Sequence, residues 1–147
     1  MIKSQRVVHF TIPVTDLDRS LKFYRDLLGC ELVHSNPLMH FMKCGDSHFV
    51  LTKMQEHVPA NPPGGTLNHH AFAVAREDFD VAIDEMRRAG VECLSYEDRG
   101  HRMFPGRHAY FHDPDRNAIE LIDLHPDDDR IAEGPASLRQ AIEKQRL

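Results

Sequence analysis

The chain carries one pattern twice, and this repeat limits its fold more than any other feature. Residues 7–33, VVHFTIPVTDLDRSLKFYRDLLGCELV, and residues 67–94, LNHHAFAVAREDFDVAIDEMRRAGVECL, each place a His five residues before a Val: His9 and Val14, His69 and Val74. Each copy then passes through a polar turn into a helical pattern, a Gly (Gly29, Gly90) and a β-type stretch. The copies are 60 residues apart at the His and 61 apart at the Gly. Matching positions and matching element order together imply two copies of one supersecondary unit. A chain of 147 residues has room for one domain, or for two such halves sharing a core.

Periodicity places the elements. Residues 6–14 alternate, with Val8, Phe10, Ile12 and Val14 on one face and His9 and Thr11 on the other, as a half-buried strand requires. Thr15 and Asp18 resemble a capping box, and Leu17, Leu21, Tyr24 and Leu28 recur at helical spacing up to Gly29. Short strands are expected over 31–35, 39–44 and 47–54, which makes the first half, residues 1–54, a β-α-β-β-β module. The stretch 55–66, QEHVPANPPGGT, has the Pro and Gly content of a linker. The second module, 67–125, repeats the order: strand 67–75, a helix near 77–89 with Phe79, Ile83 and Met86 inward, then strands near 92–97, 107–113 and 117–124. A tail, 126–147, follows with a short helical pattern from about Ala136. The expected fold class is α+β: two paired βαβββ modules and a C-terminal helix.

Composition removes several function classes. Hydrophobic residues are 41% and charged residues 28%, enough to bury a core. A formal net charge of -5, with no basic block, argues against a protein that binds nucleic acid by neutralising phosphates. No run approaches the roughly 20 apolar residues needed to span a bilayer, so no membrane partner is expected. Three cysteines, Cys30, Cys44 and Cys93, have no CxxC spacing, which predicts reduced thiols in a cytoplasmic protein.

Histidine is the residue in excess, at 11 in the chain, and imidazole is the commonest metal ligand. His9 and His69 occupy equivalent places in the two modules. Glu120, in Ala118-Ile119-Glu120-Leu121-Ile122, is an acid in the middle of an apolar strand, costly unless paired, hydrogen-bonded or metal-bound. Val50 stands at the corresponding place in the first module, so the expected metal ligands are His9, His69 and Glu120, with no fourth. His70 is the competing choice at the second position; parity with His9 favours His69. Two histidines and one carboxylate leave about three coordination positions open, an arrangement associated with non-haem Fe(II), and Mn(II) accepts the same donors.

These segments resemble the vicinal oxygen chelate superfamily, which includes glyoxalase I, fosfomycin-resistance thiol transferases, bleomycin-resistance proteins and extradiol ring-cleaving dioxygenases. The resemblance is carried by HFTIPVTDLDRSLKFYRDLLGCELV, NHHAFAV and YFHDPDRNAIEL, within residues 5–124. It implies sheets curled around one metal ion, a homodimer and a small-molecule substrate. Val50 weighs against a glyoxalase, which uses four protein ligands. Among three-ligand members, LMHFMKCGDSHFVL is similar to the dioxygenase segment that supplies a catalytic His. The resemblance then implies His48 as acid/base, with Tyr110 and His101 orienting substrate or oxygen, and a rim from Glu97 to Gly106 with Arg102 and Arg107.

The expectation from sequence is therefore an Fe(II)-dependent extradiol-type dioxygenase acting on a small catechol. The alternative is a fosfomycin-resistance-like Mn(II) thiol transferase or another glyoxalase-like lyase. Thr11 matches a hydroxyl that contacts the phosphonate in those transferases, but the sequence offers no dense Arg and Lys cluster for a dianion. A non-catalytic binder of the bleomycin-resistance kind ranks third, because the metal ligands are all present.

Overall fold

The computed structural model describes residues 1–99 and 104–124. It contains two four-stranded sheets of the same topology. In the first, β1 (His9–Val14) is followed by α1 (Leu17–Leu21), then β2 (Glu31–Asn36), β3 (Met39–Cys44) and β4 (Ser47–Lys53). In the second, β5 (His69–Ala73) is followed by α2 (Phe79–Arg88), then β6 (Cys93–Asp98), β7 (Arg107–His112) and β8 (Ala118–Ile122). The strand orders are β1-β4-β3-β2 and β5-β8-β7-β6. In each sheet the first strand runs parallel to the last and the remaining pairs are antiparallel. The α+β class and the paired-module organisation are as the repeat predicts.

The repeat extends to details that sequence alone does not show. The β2–β3 register shifts between Leu32 and His34, and the β6–β7 register shifts between Cys93 and Ser95. Both irregularities lie four residues beyond the Gly that ends the preceding helical segment. Those two glycines, Gly29 and Gly90, have φ of +71° and +76°, the left-handed geometry that a helix terminus commonly needs and that glycine adopts without strain.

The chain divides into two compact units. The first is Met1–Pro62 together with the Asp113–Asn117 turn, and the second is Pro63–His112 with Ala118–Leu147. In the first unit Ile12, Val14, Met42, Phe49 and Leu51 form the buried sheet face. Tyr24, fully buried, sits 5.4 Å from the Phe49 ring and 5.1 Å from Phe23. In the second unit Phe72, Phe79, Met86, Phe111, Ile119 and Leu121 are buried. Phe79 and Met86 thus face inward as the helical spacing requires, while Ile83 is half-buried.

Three local features depart from the sequence reading. The first helix is capped by Asp16, whose carboxylate accepts the Arg19 backbone N–H at 2.9 Å, and not by a Thr15–Asp18 box. Thr15 instead donates its hydroxyl to Asp115 at 2.5 Å. Competition for the Thr15 side chain by a carboxylate 100 positions away is invisible to local pattern. The helix then widens into a π-helical stretch, Lys22–Leu27, and α2 is entered through a 3-10 turn, Arg76–Asp78. The expected C-terminal helix, and with it His101, Arg102 and Met103, lies outside the described residues. Among the described residues no helix is long and apolar enough to cross a membrane.

Asp113 organises the turn of the first unit. Its carboxylate accepts the backbone N–H groups of Asp115 and Asn117 at 2.9 and 2.8 Å, the Asn117 side-chain amide at 2.8 Å and the Tyr24 hydroxyl at 2.8 Å. Asn117 in turn donates to the Pro13 carbonyl at 2.9 Å. Burial pushes the Asp113 carboxyl above its ordinary pKa, and the four donors hold that rise in check. Removing the acceptor strands all four donors, two of them backbone. Asp113→Ala is expected to lower stability by about 2–4 kcal/mol and Tyr24→Phe by about 1–2 kcal/mol, measured from urea unfolding midpoints.

Candidate metal and anion site

In the second unit the β5–β8 register pairs Ala71 with Glu120 and His70 with Ile119. Because side chains alternate along a strand, His69 shares the Glu120 face and His70 the opposite one. His69 Nε2 lies 3.0 Å from Glu120 Oε2. Its other nitrogen, Nδ1, donates to the Thr66 carbonyl at 2.7 Å. That bond places the ring proton on Nδ1 and turns the Nε2 lone pair toward a carboxylate. Two lone pairs at this distance need a cation between them, either a proton or a metal ion. A backbone carbonyl on the remote nitrogen is also the usual support for a metal-binding imidazole.

Glu120 is 4% exposed and is surrounded on its own face. Oε1 accepts from His108 Nδ1, and the other nitrogen of that ring faces the Phe104 carbonyl at 2.8 Å. Both contacts are satisfied together when each ring nitrogen carries a proton. Tyr110 is the direct β7 partner of Glu120 and packs its ring edge-on to His69 with centroids 5.3 Å apart. Burial, and then its hydrogen bond to Glu120, raise the Tyr110 pKa well above the ordinary phenol value, so the hydroxyl stays protonated at neutral pH. Arg99 Nη2 donates to the Tyr110 oxygen at 2.9 Å and to Glu97 Oε1 at 2.7 Å. Its Nε is buried with no hydrogen-bond partner among the described residues. The result is a buried carboxylate, two imidazoles, a phenol and a guanidinium in one contiguous set.

The matched place in the first unit has a different character. There the β1–β4 register pairs Thr11 with Val50, the counterpart of Ala71 with Glu120. Val50 thus occupies the Glu120 position, and an apolar side chain stands where a fourth ligand would be. His9 and His48 are register partners, both exposed. They line, with His34, Val33, Phe41 and Val50, an apolar cavity of about 260 Å³.

Of the residues singled out from sequence, the structure brings together His69, Glu120 and Tyr110. His9 and His48 lie side by side in the first unit, and His101 lies outside the described residues. Among the described residues, no group of three or more His, Cys, Asp or Glu side chains is arranged to hold a metal ion. Sequence reading missed Arg99 as a site residue, because its role depends on where the end of β6 falls against β7. Arg107, expected at the rim, is instead a structural clamp. It bonds Asp123 at 2.6 Å, Asp80 at 3.0 Å and the Arg76 carbonyl at 2.8 Å, with its guanidinium 4.5 Å from the Phe79 ring centre.

The sequence profile of the glyoxalase/bleomycin resistance protein/dioxygenase superfamily matches residues 6–121, and the chain belongs to that superfamily. Within it, the chain is 32% identical to the glutathione transferase FosA of Serratia marcescens over 80% of this chain and 79% of that protein. It is 30% identical to a metallothiol transferase FosB of Staphylococcus epidermidis, covering 78% and 79% respectively. A solved fosfomycin resistance protein, FosX of Listeria monocytogenes, superposes with a TM-score of 0.67 at 25% identity, covering 85% of this chain and 94% of that one.

These relatives overturn the dioxygenase expectation. They are transferases and resistance proteins, so an oxidoreductase assignment and Fe(II) as the preferred ion both lose their support. A divalent metal keeps its support, since a metallothiol transferase is among them. The reason for the error is chemical: a His, His, Glu set is shared by both enzyme types and does not select iron. The surroundings of the set distinguish them, and here those include Arg99 on Tyr110.

A test of the donor set follows. Mn(II) binding followed by electron paramagnetic resonance should be lost in His69→Ala and Glu120→Gln and kept in His70→Ala. His108→Ala is expected to weaken binding by about 10–100-fold, the usual cost of removing a group that orients a ligand.

Proposed function

We propose that the protein is a divalent-metal enzyme that opens a small phosphonate-bearing epoxide by addition of a low-molecular-weight thiol. The observation that carries this reading is the Arg99–Tyr110 pair beside the His69–Glu120 donors. A catechol has no use for a half-buried guanidinium there; an anionic head group has. In the reaction the thiol gives up its proton, its sulfur forms a C–S bond, the epoxide C–O bond breaks, and the freed oxygen takes up that proton.

His69 and Glu120 would hold the ion, and these nitrogen and oxygen donors suit Mn(II). When bound, the ion supplies positive charge that draws electrons from the epoxide C–O bond. Thr66 fixes the His69 tautomer, and His108 fixes one oxygen of Glu120, so the ligand atoms need little rearrangement. Arg99 keeps its charge, raised further by its bond to Glu97, and would pair with a phosphonate oxygen. Tyr110, whose hydroxyl proton is engaged by Glu120, would accept from Arg99 and hold the guanidinium beside that group. The assembly that supports this chemistry in the superfamily is a homodimer, which sedimentation equilibrium would establish.

The test is consumption of fosfomycin by the Mn(II)-loaded protein in the presence of glutathione or another small thiol, followed by mass spectrometry. A thiol adduct is the expected product. Diol formed equally well without thiol would replace the thiol by water as nucleophile. No consumption under either condition, with Mn(II) bound, would remove the reading. Arg99→Ala is expected to raise KM for the phosphonate about tenfold or more, as the loss of one charge-assisted bond predicts.

A further inference from the structure

The β2–β3 hairpin of the first unit carries a pair of cysteines outside the chemistry described above. Its register pairs Glu31 with Lys43 and Leu32 with Met42. One step outward, the same register sets Cys30 opposite Cys44. Residues directly opposite in an antiparallel pair hold their Cα atoms about 4.5–5.5 Å apart, inside the roughly 4.4–6.8 Å that a disulfide spans. Cys30 is anchored, with its backbone N–H bonded to the Tyr24 carbonyl at 2.9 Å, and its side chain is buried. Cys44 is the more open of the two. The two thiols hydrogen-bond to one another. Cys93, exposed in the second unit, belongs to neither.

We propose that Cys30 and Cys44 form a redox-active dithiol that is oxidised to an intramolecular disulfide by a low-molecular-weight disulfide such as glutathione disulfide. The roles differ. The hydrogen bond from Cys30 lowers the Cys44 pKa, while burial and that same bond raise the pKa of Cys30. Cys44 is therefore the attacking thiolate and Cys30 the resolving thiol. Cys44 sulfur bonds to one sulfur of the small disulfide, and the first small thiolate leaves. Cys30 then loses its proton to solvent, its sulfur bonds to Cys44, and the second small thiol leaves. Two protein thiols are oxidised and one disulfide is reduced to two thiols. The new bond closes the open end of the hairpin that bears Val33, His34, Phe41 and Met42 of the cavity wall.

The experiment is treatment of the reduced full-length protein with glutathione disulfide under native conditions, followed by acid quenching, alkylation and peptide mass mapping. The wild type should yield a Cys30–Cys44 cross-linked peptide, in a Cys93→Ser background as well, that dithiothreitol reverses. Cys30→Ala should trap glutathione on Cys44, and Cys44→Ala should leave Cys30 as a free thiol. The proposal is overturned if wild-type Cys30 and Cys44 are both recovered alkylated, or if glutathione remains on Cys44 without a cross-link. Because the deciding result is obtained on the wild type, a variant that folds poorly does not remove the test.

Discussion

A single carboxylate buried in the closing strand of the second sheet sets the terms for its surroundings. Glu120 is almost fully removed from water between Ile119 and Leu121, where an uncompensated charge is costly. Compensation comes from every direction its own face allows. His108 donates to one oxygen, His69 lies against the other, and Tyr110 from the neighbouring strand donates with Arg99 behind it. The His69 contact needs a proton or a metal ion between the two atoms, because the Nδ1 proton is engaged by the Thr66 carbonyl.

The twofold internal repeat explains how the site arises and why it is not duplicated. Both sheets place a parallel strand pair at equivalent positions, with a His two residues before the residue that faces strand β4 or β8. Where the second copy has Glu120, the first has Val50, and the surroundings follow suit: the first unit presents an apolar cavity flanked by His9 and His48. One scaffold thus provides a polar, donor-rich face in one copy and an apolar wall in the other. Fold alone would not distinguish these; the residues grafted on it do.

The functional correction turns on the same point. A His, His, Glu set is common to dioxygenases and thiol transferases, and its ligands accept several divalent ions. What separates an aromatic diol from a phosphonate is the charge placed next to the metal ligands. In the proposed function Arg99 supplies that charge, and it reaches Tyr110 from the position just after β6 ends at Asp98. The two relatives at 30% identity and above are a glutathione transferase and a metallothiol transferase.

Much of the architecture was legible in the amino-acid order. Strand alternation, helical spacing and paired glycines are local properties, and each translates directly into backbone geometry. The repeat singled out His69 and an apolar strand singled out Glu120, and the β5–β8 register puts His69, rather than His70, on the Glu120 face because a one-residue step reverses a strand side chain. Tertiary structure alone decided the partners. Thr15 is drawn from a capping role by Asp115, Arg107 is bound into a clamp with Asp80 and Asp123, and Cys30 meets Cys44 across a hairpin. Each of these depends on which distant side chain competes for the same atom. Local pattern fixes where a residue points, whereas only the assembled fold determines what it meets.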